Sequence, residues 1–198
     1  MTDNKPAIII LAAGTSSRLG RPKQLLSYQN QTFISRLVIQ AQTTATTVIV
    51  VTGATHEALA EALKDSPALL VQNPEWQQGM GSSISKGMGF LKSLNRAVSS
   101  VILAVCDQPY VTASLFNEMI AVQGRSGKKI VACTYADTIG TPVLFERSYF
   151  KALQQATGKE GAKHLVQTHQ EDVALLPFPQ GAIDIDTEED YTALLSQH

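Results

Sequence analysis

Buried, β-branched runs recur along this chain with helical stretches between them, and that alternation restricts the fold more than any other feature. Ala7-Ile8-Ile9-Ile10-Leu11-Ala12 lacks the polar break at every second residue that marks a half-exposed strand, and it ends at Gly14. Thr47–Thr52 repeats the pattern and ends at Gly53, and Ser100–Val105 repeats it again. Strands apolar on both sides belong in a sheet covered on both faces, as parallel sheets are. Shorter strands are predicted at Ala68–Val71, Lys129–Tyr135, Pro142–Phe145 and Val173–Leu176. Between them, apolar residues at helical spacing predict helices over Thr32–Gln42, His56–Leu63, Ser82–Leu94, Thr112–Gln123, Ser148–Ala156 and Gly161–His169, with a last one from Thr187. Thr32 and Thr112 are the expected caps. Gly124–Lys129 reads as a surface loop. The alternation predicts an α/β fold of three layers with a mostly parallel sheet. The pair of strands around Gly140 suggests an antiparallel departure in the second half.

The length of 198 residues predicts one domain spanning 1–198. Hydrophobic residues at 44% and charged residues at 17% exclude a disordered or fibrous chain. Sixteen Lys+Arg against 17 Asp+Glu leave a net charge of −1, so no field of one sign draws nucleic acid, and no nucleic-acid partner is expected. The longest apolar runs are too short to cross a bilayer. The start, MTDNKPAIIILAAG, does not read as a signal peptide. No membrane association and a cytoplasmic location are therefore expected. Cys106 and Cys133 sit in strand-like apolar runs and read as buried free thiols.

Ligands of such sheets sit at the carboxyl ends of the strands. Three of those ends are polar or glycine-rich: Gly14 to Lys23, Asn73 to Ser83, and Cys106-Asp107-Gln108-Pro109. Small Ala12, Ala13 and Gly14 let a backbone approach a ligand closely, and successive amides in such a turn form an anion nest. Arg18 adds a fixed fork for phosphate oxygens and Lys23 a mobile point charge, a combination suited to a triphosphate. Taken alone, the same residues also describe a turn with two solvated cations. The loop is not a P-loop, because Leu19 stands where the second glycine is needed. Gly79-x-Gly81 is not a dinucleotide fingerprint, because Ile84 stands where its third glycine belongs.

Leu11-Ala12-Ala13-Gly14-x-x-x-Arg18-x-Gly20-x-x-Lys23 resembles the signature loop of MobA-like nucleotidyltransferases, and the match is closest to their molybdenum cofactor cytidylyltransferase branch. Further segments fit that branch in order: Val51-Thr52-Gly53, Asn73-Pro74 with Gly79-Met80-Gly81-Ser82-Ser83, Asp107-Gln108-Pro109, Gly140 to Phe145, and Asp184-Ile185-Asp186-Thr187. The resemblance implies a glycosyltransferase-A-like (nucleotide-diphospho-sugar transferase) fold. It also implies transfer of a cytidylyl group from CTP to molybdopterin with release of pyrophosphate, and a molybdenum hydroxylase as candidate recipient of the product. Under it, Leu11, Ala12, Ala13 and Gly14 with Arg18 hold the outer phosphates, and Lys23 binds the α-phosphate. Gly79, Gly81, Ser82 and Ser83 read the base, and Asp107 holds Mg²⁺ with Asp186, Asp184 being the alternative second ligand. Arg18, Lys23 and Asp107 are the implied catalytic set. Another nucleotide, a sugar-phosphate or alcohol-phosphate acceptor, and a non-catalytic cofactor carrier are the alternatives.

Several of these residues also have a structural reading. Asp186-Thr187-Glu188-Glu189 matches a capping box with Asp186 at the cap, a role compatible with metal binding. Members of the resembling family usually have Pro where Glu188 stands. Ser82 or Ser83 could cap the following helix. Thr141 stands where the branch more often has His, which bears on the acceptor. Lys159 reads as solvated, while Lys163 is open between solvent and an acceptor phosphate. Trp76 reads either as a pocket wall or as a cover over the edge of the core. His164 and His169 do not share a helix face as a zinc pair would, and both read as surface residues. No GxSxG elbow is present.

Overall fold

Strand β1 (Ala7–Ala12) lies inside the sheet, between β4 (Thr47–Thr52) and β6 (Ser100–Val105), parallel to both. The computed structural model describes residues 6–158 and 161–196, so Lys159 lies outside the described residues. Among them, the main sheet has the order β5-β4-β1-β6-β8-β7-β9, with β5 at Leu69–Gln72, β7 at Ile130–Tyr135, β8 at Thr138–Glu146 and β9 at Val173–Pro177. Strand β8 runs antiparallel to both β6 and β7, and β7 runs parallel to β9. The departure in the second half is therefore one reversed strand. The two short strands β2 (Ser27–Tyr28) and β3 (Gln31–Thr32) pair as a separate ribbon.

Period-two alternation divides the core between the two faces of the sheet. Ile8, Ile10 and Ala12 join one cluster, which also takes Leu37 of α1 (Phe33–Thr44), Leu59 of α2 (His56–Ala62), Met119 of α4 (Ala113–Ser126) and Leu194 of α7 (Glu188–Ser196). Ala7, Ile9 and Leu11 join the other, with Met88 of α3 (Met80–Ser93), Leu153 of α5 (Phe150–Gln154) and Val166 of α6 (Lys163–Thr168). Helices on both faces give the three layers. Thr32 and Thr112 act as read: each hydroxyl accepts an N–H from the first turn of its helix, Ser35 and Leu115 respectively. Both cysteines are buried and free, and burial pushes each thiol well above its ordinary pKa.

The differences from the sequence reading have local causes. Helix α4 runs on to Ser126 and ends at left-handed Gly127, so Gly124–Ser126 is helix rather than loop. The hairpin between β7 and β8 turns on Ala136 and Asp137, both at positive φ without a glycine, which lengthens β8 back to Thr138. The β7–β8 register then shifts between Ala132 and Cys133, opposite Thr141 and Pro142. A proline has no N–H for the ladder, so the strand bulges there. Pairing of β8 with β6 stops at Leu103 and Val143, and the sheet opens beyond that point.

Candidate active site

The chain leaves β1, crosses over one side to β4 and β5, and returns to β6 on the other side of β1. The strand order therefore reverses beside β1, where open α/β sheets form a ligand crevice. Ala13 and Gly14 leave β1 at this point, and Asp107 follows β6. The loop after β1 is shaped by Gln24, a buried residue whose Nε2 donates to Ala12 O at 3.1 Å and Gly14 O at 3.0 Å. The opposite amide orientation would set oxygen against two carbonyls. In a trans peptide the next N–H points away from the carbonyl, so the amides of Ala13 and Thr15 turn away from Gln24. Leu19 and Gly20 fold back onto Ser16 O, and Lys23 N donates to Ser16 Oγ at 3.0 Å. The N–H groups of residues 15–18 have no acceptor among the described residues. An open run of donors is what a phosphate nest requires.

Lys23 stands between two carboxylates. Its Nζ donates to Asp107 Oδ2 and to Asp186 Oδ1, each at 2.7 Å, and its side chain is only 16% exposed. Arg18, 70% exposed at the rim, pairs with the other oxygen of Asp186. Burial alone would lower the Lys23 pKa, but Asp107 and Asp186 outweigh it and hold the ammonium above its ordinary value. Burial would raise Asp186, yet Lys23 and Arg18 bring it below the usual carboxylate range. Asp184 is pushed upward, first by burial and then by the charges of Asp107 and Asp186. The two acidic segments are tied together at the backbone: fully buried Ile185 donates its N–H to Asp107 O at 3.0 Å.

The helix cap read from the sequence is displaced by one residue. Thr187 Oγ1 accepts from Asp190 N at 3.2 Å, and Asp190 Oδ2 accepts from Thr187 N at 2.8 Å and from Asp186 N at 3.1 Å. The box is Thr187 with Asp190, so the Asp186 carboxylate is released for the two cations. Glu188 takes a bidentate bond from Arg21 at 2.8 and 2.9 Å, fastening α7 to the loop that carries Arg18. Thr187→Ala should cost about 1 kcal/mol, the usual loss of a threonine cap. In a chain of this size that lowers Tm by roughly 2–4 °C. An unchanged thermal unfolding curve would reject Thr187 as the cap.

Two cavities meet at this crevice and share Leu11 and Met80 in their walls. The smaller, about 280 Å³, is lined by Leu11, Ala13, Gly14, Lys23, Gly79, Ser83 and Asp107 among the expected residues, and by Gln24 and Trp76 besides. Ala12, Arg18, Gly81 and Ser82 lie outside its wall. Ala12 is buried with its carbonyl held by Gln24. Gly81 packs against Thr157, where a Cβ would fall 2.4 Å from the backbone, and gives its N–H to Gly158 O. Ser82 is occupied by Gly79 O, Glu75 O and the Asn73 amide. Neither serine caps α3, which begins at Met80. The larger cavity, about 530 Å³, is mostly apolar and opens where β8 leaves β6. Thr141 and Lys163 lie in its wall. Thr141 Oγ1 donates to buried Gln108 Oε1 at 3.2 Å, and Gln108 Nε2 donates to Tyr135 OH at 3.1 Å. His164 is exposed as read, whereas the His169 ring rests edge-on against Tyr149.

A MobA-like NTP transferase domain matches residues 8–173, from β1 to the first residue of β9. The chain belongs to this family. The match includes Arg18, Lys23 and Asp107 and stops short of Asp186. Nicotine blue oxidoreductase from Paenarthrobacter nicotinovorans is 31% identical over 147 residues, covering 71% of this chain and 67% of that protein. A protein named as a probable molybdenum cofactor guanylyltransferase, from Bacillus cytotoxicus, is 27% identical over 113 residues. That match covers 56% of this chain and spans about half of the relative, 53% of its length. Rv0371c from Mycobacterium tuberculosis H37Rv superposes with a TM-score of 0.79 at 28% identity, covering 99% of this chain and 100% of that one. Family membership agrees with the expectations of a nucleotide-diphospho-sugar transferase-like fold and of an enzyme of nucleotidyl transfer.

Members of such families typically use a divalent metal, and Rv0371c has been crystallised in complex with manganese. The donor set here fits such an ion. Asp107 and Asp186 are hard oxygen donors already drawn together by one shared cation. No cluster of three or more His, Cys, Asp or Glu placed to hold a metal occurs among the described residues. No helix among the described residues is long and apolar enough to cross a membrane.

Proposed function

We propose that this single domain transfers a cytidylyl group from CTP to the terminal phosphate of a molybdopterin-type acceptor and releases pyrophosphate. The observation that carries the reading is Lys23, held between Asp107 and Asp186 in the wall of a cavity that Ala13 and Gly14 of the loop after β1 also line. Cofactor carriage alone would not call for two carboxylates and two cations gathered on one point. The sequence resemblance supports the cytidylyl choice, and the related guanylyltransferases make GTP the competing nucleotide.

In this mechanism an oxygen of the acceptor phosphate attacks the α-phosphorus in line, and the bond from that phosphorus to the β-phosphate oxygen breaks. No protein nucleophile is needed, because a phosphate is already ionised at neutral pH. The free N–H groups after Gly14 receive the outer phosphates, and Arg18 adds charge at the rim. Lys23 moves from the carboxylates to the α-phosphate and stabilises charge that grows in the transition state. Asp107 and Asp186 would hold a divalent cation, Mg²⁺ in this reading, which when bound would supply Lewis-acid charge neutralisation for the leaving pyrophosphate. The 530 Å³ chamber takes the acceptor body, with Lys163 available to its phosphate and Thr141 to its polar edge.

The test is pyrophosphate release from each of the four nucleoside triphosphates, with and without molybdopterin. A site that hydrogen-bonds a pyrimidine edge rejects a mismatched base by leaving buried polar groups unpaired. CTP is therefore expected to exceed GTP in kcat/KM by at least ~10²-fold, about 2.7 kcal/mol. Equal use of GTP would overturn the cytidylyl assignment. Absence of release with any nucleotide would move the reading to another acceptor or to a carrier.

A further inference from the structure

Trp76 is the one aromatic ring in the wall of the smaller cavity, and the core does not explain it. It is half-buried, yet it belongs to neither of the two apolar clusters of the core. Its indole rests on Gly53, where a Cβ would fall 2.9 Å from Trp76 Cγ and 2.4 Å from Ala13 O. A side chain at position 53 would push the ring or the phosphate-loop backbone out of place. The turn that carries Trp76 is fixed by buried Asn73. Its Oδ1 accepts from Glu75 N at 3.0 Å, and its Nδ2 donates to Ser82 Oγ and Ser83 Oγ at 2.9 and 3.0 Å. Asn73 N in turn donates to Thr52 O at 2.8 Å, at the end of β4. An apolar ring half open to water is thus held in place beside Lys23 and Asp107, in the wall of the same cavity.

We infer that Trp76 is the stacking surface for the nucleobase, and that it grips the base without choosing it. This rests on the nucleotidyltransferase reading and adds a residue to its nucleotide site. Every base has a π-face, so stacking on an aromatic ring is tolerant of base identity. Choice falls instead to hydrogen-bonding groups elsewhere in the same wall, such as the Ser83 hydroxyl. The division of labour also gives the hydrogen bonds of Asn73 a purpose: one amide sets the ring and the serine at a fixed separation.

The chain contains one tryptophan, so its tryptophan emission reports on residue 76 alone. CTP and GTP should each quench that emission saturably in the wild-type protein, whereas pyrophosphate, which offers phosphates without a base, should leave it unchanged. Trp76→Leu should raise KM for CTP and for GTP by about tenfold each, a stacking loss toward the low end of the usual range. Its kcat and the ratio of kcat/KM between the two nucleotides should stay within about threefold, the pattern of lost uniform binding. Trp76→Phe, which keeps a π-face, should restore most of the affinity. Emission unmoved by either nucleotide, quenching by pyrophosphate equal to that by CTP, an unchanged KM in Trp76→Leu, or a shifted nucleotide ratio would each overturn the inference. Quenching without turnover would leave it standing while the proposed reaction fails. Turnover without quenching would do the reverse.

Discussion

Asp107→Ala is expected to lower turnover at least ~10²-fold in a protein that still folds, the scale seen when one electrostatic stabiliser of a transition state is lost. Asp107 lies in the turn after β6, and its side chain, 23% exposed, lines the crevice and bonds Lys23. The backbone link that holds its neighbourhood, Ile185 N to Asp107 O, does not involve the side chain and survives the change. What disappears is one of the two carboxylates proposed to hold the metal against the leaving pyrophosphate. Phosphoryl-type transfer relies on positioning and charge neutralisation more than on covalent chemistry by the protein, so little else compensates. Near-normal turnover of a folded Asp107→Ala protein at saturating Mg²⁺ would remove Asp107 from the mechanism. Circular dichroism and thermal unfolding establish that the variant is folded.

Lys23→Ala should lower kcat by ~10²–10³-fold, with a smaller effect on KM for the nucleotide. In the resting arrangement the ammonium satisfies both Asp107 and Asp186. Its position on the cavity wall lets it exchange one of these partners for a phosphate that arrives there. A group on the α-phosphate acts where bonds form and break, so its loss is felt in the transition state. Arg18 differs in place and exposure: it stands at the rim and reaches only Asp186. Arg18→Ala should therefore raise KM for the nucleotide as well, since contacts to the outer phosphates contribute partly to uniform binding. If both variants change KM alone, neither cation sits at the reacting centre.

The central strands are legible in the sequence because burial on both faces leaves continuous apolar runs at Ala7–Ala12, Thr47–Thr52 and Ser100–Val105. The threonine caps of α1 and α4 are legible because their hydroxyls bond within one turn of chain. The hairpin at Ala136-Asp137 is not, because neither residue type calls for positive φ and the tertiary packing imposes it. The site divides in the same way. Lys23, Arg18 and Asp107 stand in loops after strands, where a position rule finds them. Asp186 fits both a cap and a site residue by sequence, and the pairing of Thr187 with Asp190 shows that its carboxylate is free of the helix. Gln24 is not legible: its work is done through two carbonyls ten and more residues upstream, and the sequence signal is no more than an amide beside Leu25 and Leu26.

The claim that the Lys23–Asp107–Asp186 cluster serves nucleotidyl transfer is tested most directly by following the phosphates. CTP carrying a label at either the α- or the γ-phosphate is incubated with molybdopterin and protein, and the acceptor and pyrophosphate are separated. The account predicts α-label joined to the acceptor, γ-label in pyrophosphate, and neither transfer in Lys23→Ala above a hundredth of the wild-type rate, the ~10²-fold scale given above. Label from the γ-phosphate on the acceptor, or α-label transferred at the wild-type rate by Lys23→Ala, would contradict it.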